Sequence, residues 1–390
     1  MLAVVLTRGP HDVDPRPVDV PRASPAAAAA ALTAFVDAVD SRDSVALASL
    51  APMDEAAAAE LLSGIARNAD SLDLRSVSAR YVDQVGTVAP DGTWTGIVEL
   101  TWQLGGMDPA PSTADVAVAF APDDVGLGIS RFSSGDDSSA RVPLWLRGQL
   151  SVARADGVLV MLDGTWREAT SVAQRVTRGI EVVNRVLPEW RSPVVVEVPA
   201  TASDLDETLG AAPGTYAAIA AVTTTAGSGT GTDAPVHVFV NPDVTAGLRR
   251  AGAQVVLSHE LVHVATDAAR TPMETWLLEG FADYVALRDT NLPDRTTLGR
   301  AIELARREGV PDALPSAADF DTRARDLQAR YEQAWLACRI VAERLGEQAL
   351  VFIYEAAAAG EPVDRSLRRA GLPAAELTGE WRSRLRQLVG

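Results

Sequence analysis

Apolar residues recur at helical spacing through residues 26–40, where Leu32, Phe35, Val36 and Val39 share one face, and residues 54–66 repeat the period. The period then changes to two. Residues 76–85, 93–104 and 115–120 are rich in Val, Thr and aromatics with partial alternation, and turn clusters such as Pro90-Asp91-Gly92 separate them. Residues 144–150 and 158–162 read as further strands of the same sheet. Residues 26–164 are therefore expected to form helices packed on one curved antiparallel sheet. Beyond Gly164 the pattern predicts a helix at 172–186 and strands at 193–198 and 235–240. The Gly/Ser/Thr-rich residues 223–233 read as a flexible hairpin loop, because no Lys and no helix start follow to make a phosphate site. From residue 251 onward the chain reads as helical, with breaks at Pro272, Pro293, Pro311, Pro315 and 360–362. The fold class that follows is α+β, with a second unit over 165–390 that combines a small sheet with mainly helical structure.

Residues 1–25 differ from the rest. Met1 to Leu6 is apolar but ends at Arg8, and five prolines lie among charged residues up to Pro25. The run is too short for a signal-peptide core, so it reads either as the end of a membrane anchor followed by a Pro-rich tether, implying an extracytoplasmic domain, or as a frayed start of a cytoplasmic protein. The net charge of -17 makes nucleic acid and anionic lipid surfaces unfavourable partners. Every basic residue is Arg, and Ala is abundant, as in the proteins of a GC-rich bacterial genome. The single cysteine, Cys338, excludes an intrachain disulfide and reads as a buried helix residue.

The chemistry is concentrated in Ser258-His259-Glu260-Leu261-Val262-His263. In a helix, the imidazoles of His259 and His263 project from one face a turn apart, suited to two corners of a tetrahedral zinc. Glu260 lies one position round, beside the metal, where it can take a proton from a water that the metal has acidified. With only four histidines in the chain, this spacing is a specific signal. A third ligand is needed, and the metzincin pattern is excluded, since Thr266 and Ala269 stand where it requires Gly and His. His237, within the 235–240 strand, is one alternative; its other reading is a strand residue lining the cleft. Glu279 is the stronger candidate. It shares a helical face with Asp283 in an apolar setting of Trp276, Leu277, Phe281 and Val285, and Asp283 is placed to orient a ligand histidine through its second nitrogen.

Taken together, His259-Glu260-x-x-His263 and Glu279-Gly280-Phe281-Ala282-Asp283-Tyr284 resemble the gluzincin zinc metallopeptidases, which include thermolysin and the membrane aminopeptidases. The resemblance covers residues 194–355. It implies that His259, His263 and Glu279 hold zinc, that Glu260 is the general base and that Asp283 supports a histidine. The chain departs from the family in having 15 residues between His263 and Glu279, fewer than either named relative. Family members supply an oxyanion donor from a later helix, which points to Tyr331, with a packing role as its other reading and Tyr284 as the second choice. The aminopeptidase signature Gly-x-Met-Glu-Asn is absent, which favours an endopeptidase. The 236–240 strand is expected along the cleft, where a peptide can add as a further strand. Residues 26–164, with a helix and short acidic turn over 35–50 ahead of a curved sheet, resemble the cone-shaped nuclear-transport-factor-like domains.

The expected function is thus hydrolysis of peptide or protein substrates by a zinc-activated water. The alternative from another class is a catalytically silent zinc scaffold whose N-terminal unit binds a partner or a small molecule; the retained Glu260 argues against it, because a structural zinc needs no base.

Overall fold

A computed structural model describes residues 22–123, 126–135, 140–290 and 292–390. The expected anchor and tether lie almost wholly outside these residues. Among the described residues no helix is long and apolar enough to cross a membrane.

The chain is α+β, as its patterning predicts. It opens with α1 (Pro25–Asp40), α2 (Ser44–Ala48) and α3 (Ala56–Ser71), followed by β1 (Leu74–Val85), β2 (Trp94–Leu104), β3 (Ser112–Asp123) and β4 (Gly126–Ser133). Ser24 and Asp43 cap α1 and α2 through side-chain oxygens that accept backbone N–H groups. The four strands form an antiparallel meander in the order β1-β2-β3-β4. In β2 every second residue is buried, and β1 and β4 carry the register shifts of their pairings with β2 and β3, irregularities of the kind that bend a sheet. Phe35, Trp94, Trp102, Phe120 and Trp145 fill the interior of this unit.

The second sheet contains β5 (Ser151–Ala155), β6 (Val158–Leu162), β7 (Val194–Val198), β8 (Ala221–Thr225) and β9 (Val236–Val240), in the order β5-β6-β7-β9-β8. Two strand expectations are corrected here. Residues 158–162 do not extend the first sheet but pair in parallel with β7, and residues 144–150 contain a 3-10 turn at Leu144–Leu146 in place of a strand. The chain therefore changes sheets near residue 150, ahead of the composition change at Gly164. An alternating pattern cannot distinguish which sheet a strand joins, because β6 is buried on both faces. Val158, Val160 and Leu162 face the helices of the second unit, whereas Leu159 and Met161 join the core of the first.

The helices of the second unit are α4 (Trp166–Asn184), α5 (Ala202–Leu209), α6 (Pro242–Thr245), α7 (Arg250–Ala265), α8 (Thr275–Leu287), α9 (Asp294–Thr297), α10 (Gly299–Glu308), α11 (Leu327–Leu345), α12 (Glu347–Ala358), α13 (Val363–Ala370) and α14 (Ala374–Val389). A capping box between Thr165 and Glu168 starts α4. α4 and α7 pack closely because Gly179 of α4 faces α7, where a Cβ would stand 2.5 Å from Leu261 Cδ1. α8 and α11 meet in the same way at Gly280, where a Cβ would stand 2.4 Å from the Ala334 carbonyl oxygen. These two seams set α7 against α4 and α8 against α11.

Candidate metal centre

His259, Glu260 and His263 lie in the last turns of α7, in a stretch buried from Leu257 to His263. The connection to α8 is short and contains a 3-10 turn at Ala268–Arg270, so α8 turns back beside α7 and brings Glu279 against both histidines. His259 Nε2 lies 3.0 Å from His263 Nε2 and 3.2 Å from Glu279 Oε2, and His263 Nε2 lies 3.3 Å from that same oxygen. Zinc with ligands at roughly 2.0–2.1 Å in tetrahedral geometry separates neighbouring donors by about 3.3 Å. The triangle formed by these three atoms matches that edge length, so the donor set fits the ion in both type and spacing. His259, His263 and Glu279 also form the one metal-competent cluster among the described residues.

The remaining nitrogen of His259, Nδ1, is 2.8 Å from Asp283 Oδ1. This contact fixes the ring and makes Nε2 the nitrogen that faces the cluster. The i,i+4 spacing of Glu279 and Asp283 in α8 lets one helix face supply both the oxygen of the triangle and the buttress behind it. His263 Nδ1 is buried and has no hydrogen-bond partner among the described residues. Burial opposes charge on His259, yet Asp283 and then Glu279 hold its pKa well above the ordinary histidine value. Burial likewise opposes ionisation of Glu279, and His263 and His259 overcome it, holding the carboxyl well below its usual range. Both shifts express the mutual attraction between the imidazoles and the carboxylates around them.

Glu260, the neighbour of His259 in α7, is buried and reaches the sheet through one carboxylate oxygen. Thr223 Oγ1 in β8 donates to Glu260 Oε2 at 2.6 Å and lies 3.2 Å from the Glu260 carbonyl oxygen. Thr223 was missed from sequence, since residues 223–233 read wholly as loop. The signal was the β-branched run Val222-Thr223-Thr224-Thr225 just before the glycines, opposite the apolar run 236–240. The loop between β8 and β9 is the hairpin connection that was expected.

The Tyr331 ring stands edge-on to His259, with centroids 5.9 Å apart. Tyr331 lies in the second turn of α11, which begins four residues earlier than expected, at Leu327. Burial, then Glu279, Glu260 and Asp283, push its phenol well above the ordinary tyrosine range, so the group stays protonated. Tyr284, the second choice, is directed elsewhere: its hydroxyl donates to Glu347 Oε2 at 3.1 Å.

His237 is not brought to the cluster. Strand alternation turns it to the other face of the sheet, where Nδ1 meets Glu197 Oε1 at 2.7 Å and Nε2 meets Asp108 Oδ1 at 2.9 Å. Neither the ligand reading nor the cleft-lining reading describes it. Burial disfavours its charge, but Asp108 and Glu197 prevail and raise its pKa to about 9. A further correction concerns β9, which is an interior strand; the edge strand on the Glu260 side is β8. Cys338 is buried in α11, as expected.

No family model matches the chain, and no curated protein matches it either.

Proposed function

We propose that this chain is a zinc-dependent peptidase of the gluzincin type, acting on peptide or protein substrates, with endopeptidase cleavage favoured. The observation that carries the reading is the tetrahedral-edge triangle of His259, His263 and Glu279 with Glu260 beside it. Zinc bound there would polarise the scissile carbonyl and acidify the attacking water.

The chain's own groups supply the rest. Glu260 accepts the proton of the attacking water and delivers it to the departing amine. Its adjacency to His259 keeps the carboxylate beside the cluster without making it a ligand. Tyr331, held protonated beside His259, donates a hydrogen bond to the oxygen on which negative charge develops. Asp283 keeps His259 in the orientation that directs Nε2 inward. β8 is a sheet edge on the Glu260 side of α7, which offers an extended peptide a strand to pair with. The silent-scaffold alternative gains no support from Glu260, which is buried and not turned to solvent. Nor does the first unit favour a small-molecule role, because aromatic side chains fill its interior.

The test is cleavage of a mixed peptide library by the full chain after zinc loading. Cleavage that disappears with a chelator and returns with added zinc supports the proposal. Stoichiometric zinc binding with no cleavage across a broad library counts against it.

A further inference from the structure

The hydroxyl of Thr223 is placed on Glu260 by strand register. In the antiparallel pairing of β8 with β9, Thr223 lies opposite Val238, which belongs to the core that faces α7. Thr224 lies opposite His237 on the reverse face. A one-residue slip would turn Thr223 away from α7, so the hydrogen bond to Glu260 depends on this register being held.

The register is held from outside the second unit. Ser228, in the hairpin loop, donates through its backbone N–H to the Thr113 carbonyl of β3 at 2.8 Å, and its hydroxyl reaches the same oxygen at 3.0 Å. Arg141 Nη1 donates to the Gly227 carbonyl at 2.9 Å. A Cβ on Gly227 would stand 2.3 Å from the Thr113 carbonyl oxygen, so the loop is seated directly on the strand. The His237 imidazole adds a buried link from β9 to Asp108, in the turn between β2 and β3. The hairpin that carries Thr223 is therefore attached at three points to the first unit.

We propose that Thr223 is a positioning residue for Glu260, and that the first unit serves the site by holding the β8–β9 hairpin in the register that presents it. A carboxylate bonded through one oxygen to a fixed hydroxyl loses rotation about its terminal torsion, and its other oxygen stays outside that bond. The inference rests on the peptidase reading for its catalytic consequence, but the contact itself is testable without it.

Two measurements on the full chain separate the two. In the metal-free protein, Thr223→Val lowers the folding equilibrium constant about 10-fold when Glu260 is present and about 2-fold or less in a Glu260→Ala background, since a hydrogen bond to a charged group is lost only in the first case. In the zinc-loaded protein, Thr223→Val lowers kcat roughly 10- to 100-fold with KM and zinc affinity within about 2-fold of the parent, the pattern of a misaimed base, and Thr223→Ser restores most of the loss. Gly227→Ala, which pushes the hairpin off β3 without touching the site, speeds amide exchange over 221–225 and lowers kcat non-additively with Thr223→Val. Additive stability effects of Thr223→Val and Glu260→Ala, or an unchanged kcat in Thr223→Val, overturn the positioning role. Unchanged exchange in Gly227→Ala overturns the part assigned to the first unit. If the parent protein cleaves nothing while the stability coupling is present, the peptidase reading fails and the seating of Glu260 by Thr223 is upheld.

Discussion

Replacing Gly280 with Ala tests whether the seam between α8 and α11 holds the site together. Two opposing effects must be weighed. Within a helix, Gly→Ala gains up to about 1 kcal/mol from backbone propensity. Against it, the added Cβ would stand 2.4 Å from the Ala334 carbonyl oxygen, 2.6 Å from its carbon and 2.9 Å from Cys338 Sγ. An ordinary carbon–oxygen approach is about 3.3 Å or more, so α11 must retreat by roughly 1 Å, and overpacking of this kind costs about 1–3 kcal/mol. Because the two closest atoms are backbone, no rotamer change relieves the clash, and the steric term prevails by up to about 2 kcal/mol. Thermal unfolding should show a fall of up to about 4 °C. Adding Cys338→Ala should recover little of it, since only the third contact is removed. α8 is tied to α7 through Glu279, Asp283 and His259, so α11 is the helix that moves, and it carries Tyr331. Zinc affinity measured by chelator competition should therefore change less than about 3-fold while kcat falls 10-fold or more. A Gly280→Ala protein as stable as the parent, with unchanged kcat, would refute the tight-seam argument.

Tyr331→Phe removes the donor and keeps the ring against His259; the expected result is a roughly 100-fold loss of kcat with zinc content intact, read by steady-state kinetics beside metal analysis. The pH dependence of stability tests the buried bracket around His237. Its folded pKa of about 9 lies above the ordinary 6.5, so the charged form is favoured by folding: the stabilisation is complete below about pH 6.5 and is lost as pH rises through about 9. The two values bound the contribution at about 3 kcal/mol, with Asp108 and Glu197 left facing each other once the imidazole is neutral. Denaturant melts between pH 6 and 9.5 should show stability falling across that window, and His237→Gln should lower stability at pH 6 and flatten the slope.

The site was legible in the sequence because its residues are local. His259, Glu260 and His263 lie within one and a half turns of one helix, and Glu279 with Asp283 lie on one face of the next, so helical periodicity alone relates them. Tyr331 came from family resemblance, and the structure seats its ring against His259. Thr223 and the bracket around His237 were not legible for a common reason. Both depend on the pairing of β8 with β9 and on which strand borders which, and strand order is a long-range property that no local pattern encodes. The same limit misassigned β6: its five buried residues show that both of its faces are covered but not by which units. The short strand β8 was hidden in a Thr- and Gly-rich stretch whose composition reads as loop.

The most direct test of the central claim compares the full chain with Glu260→Gln, each loaded with one equivalent of zinc and offered the same peptide library. The substitution preserves the side chain's shape and its capacity to accept from Thr223 but removes the base. Cleavage by the parent and its loss by a factor of about 100 or more in Glu260→Gln, at equal zinc content, is the expected result. Equal cleavage by both proteins, or none by either, would contradict a zinc peptidase centred on His259, Glu260, His263 and Glu279.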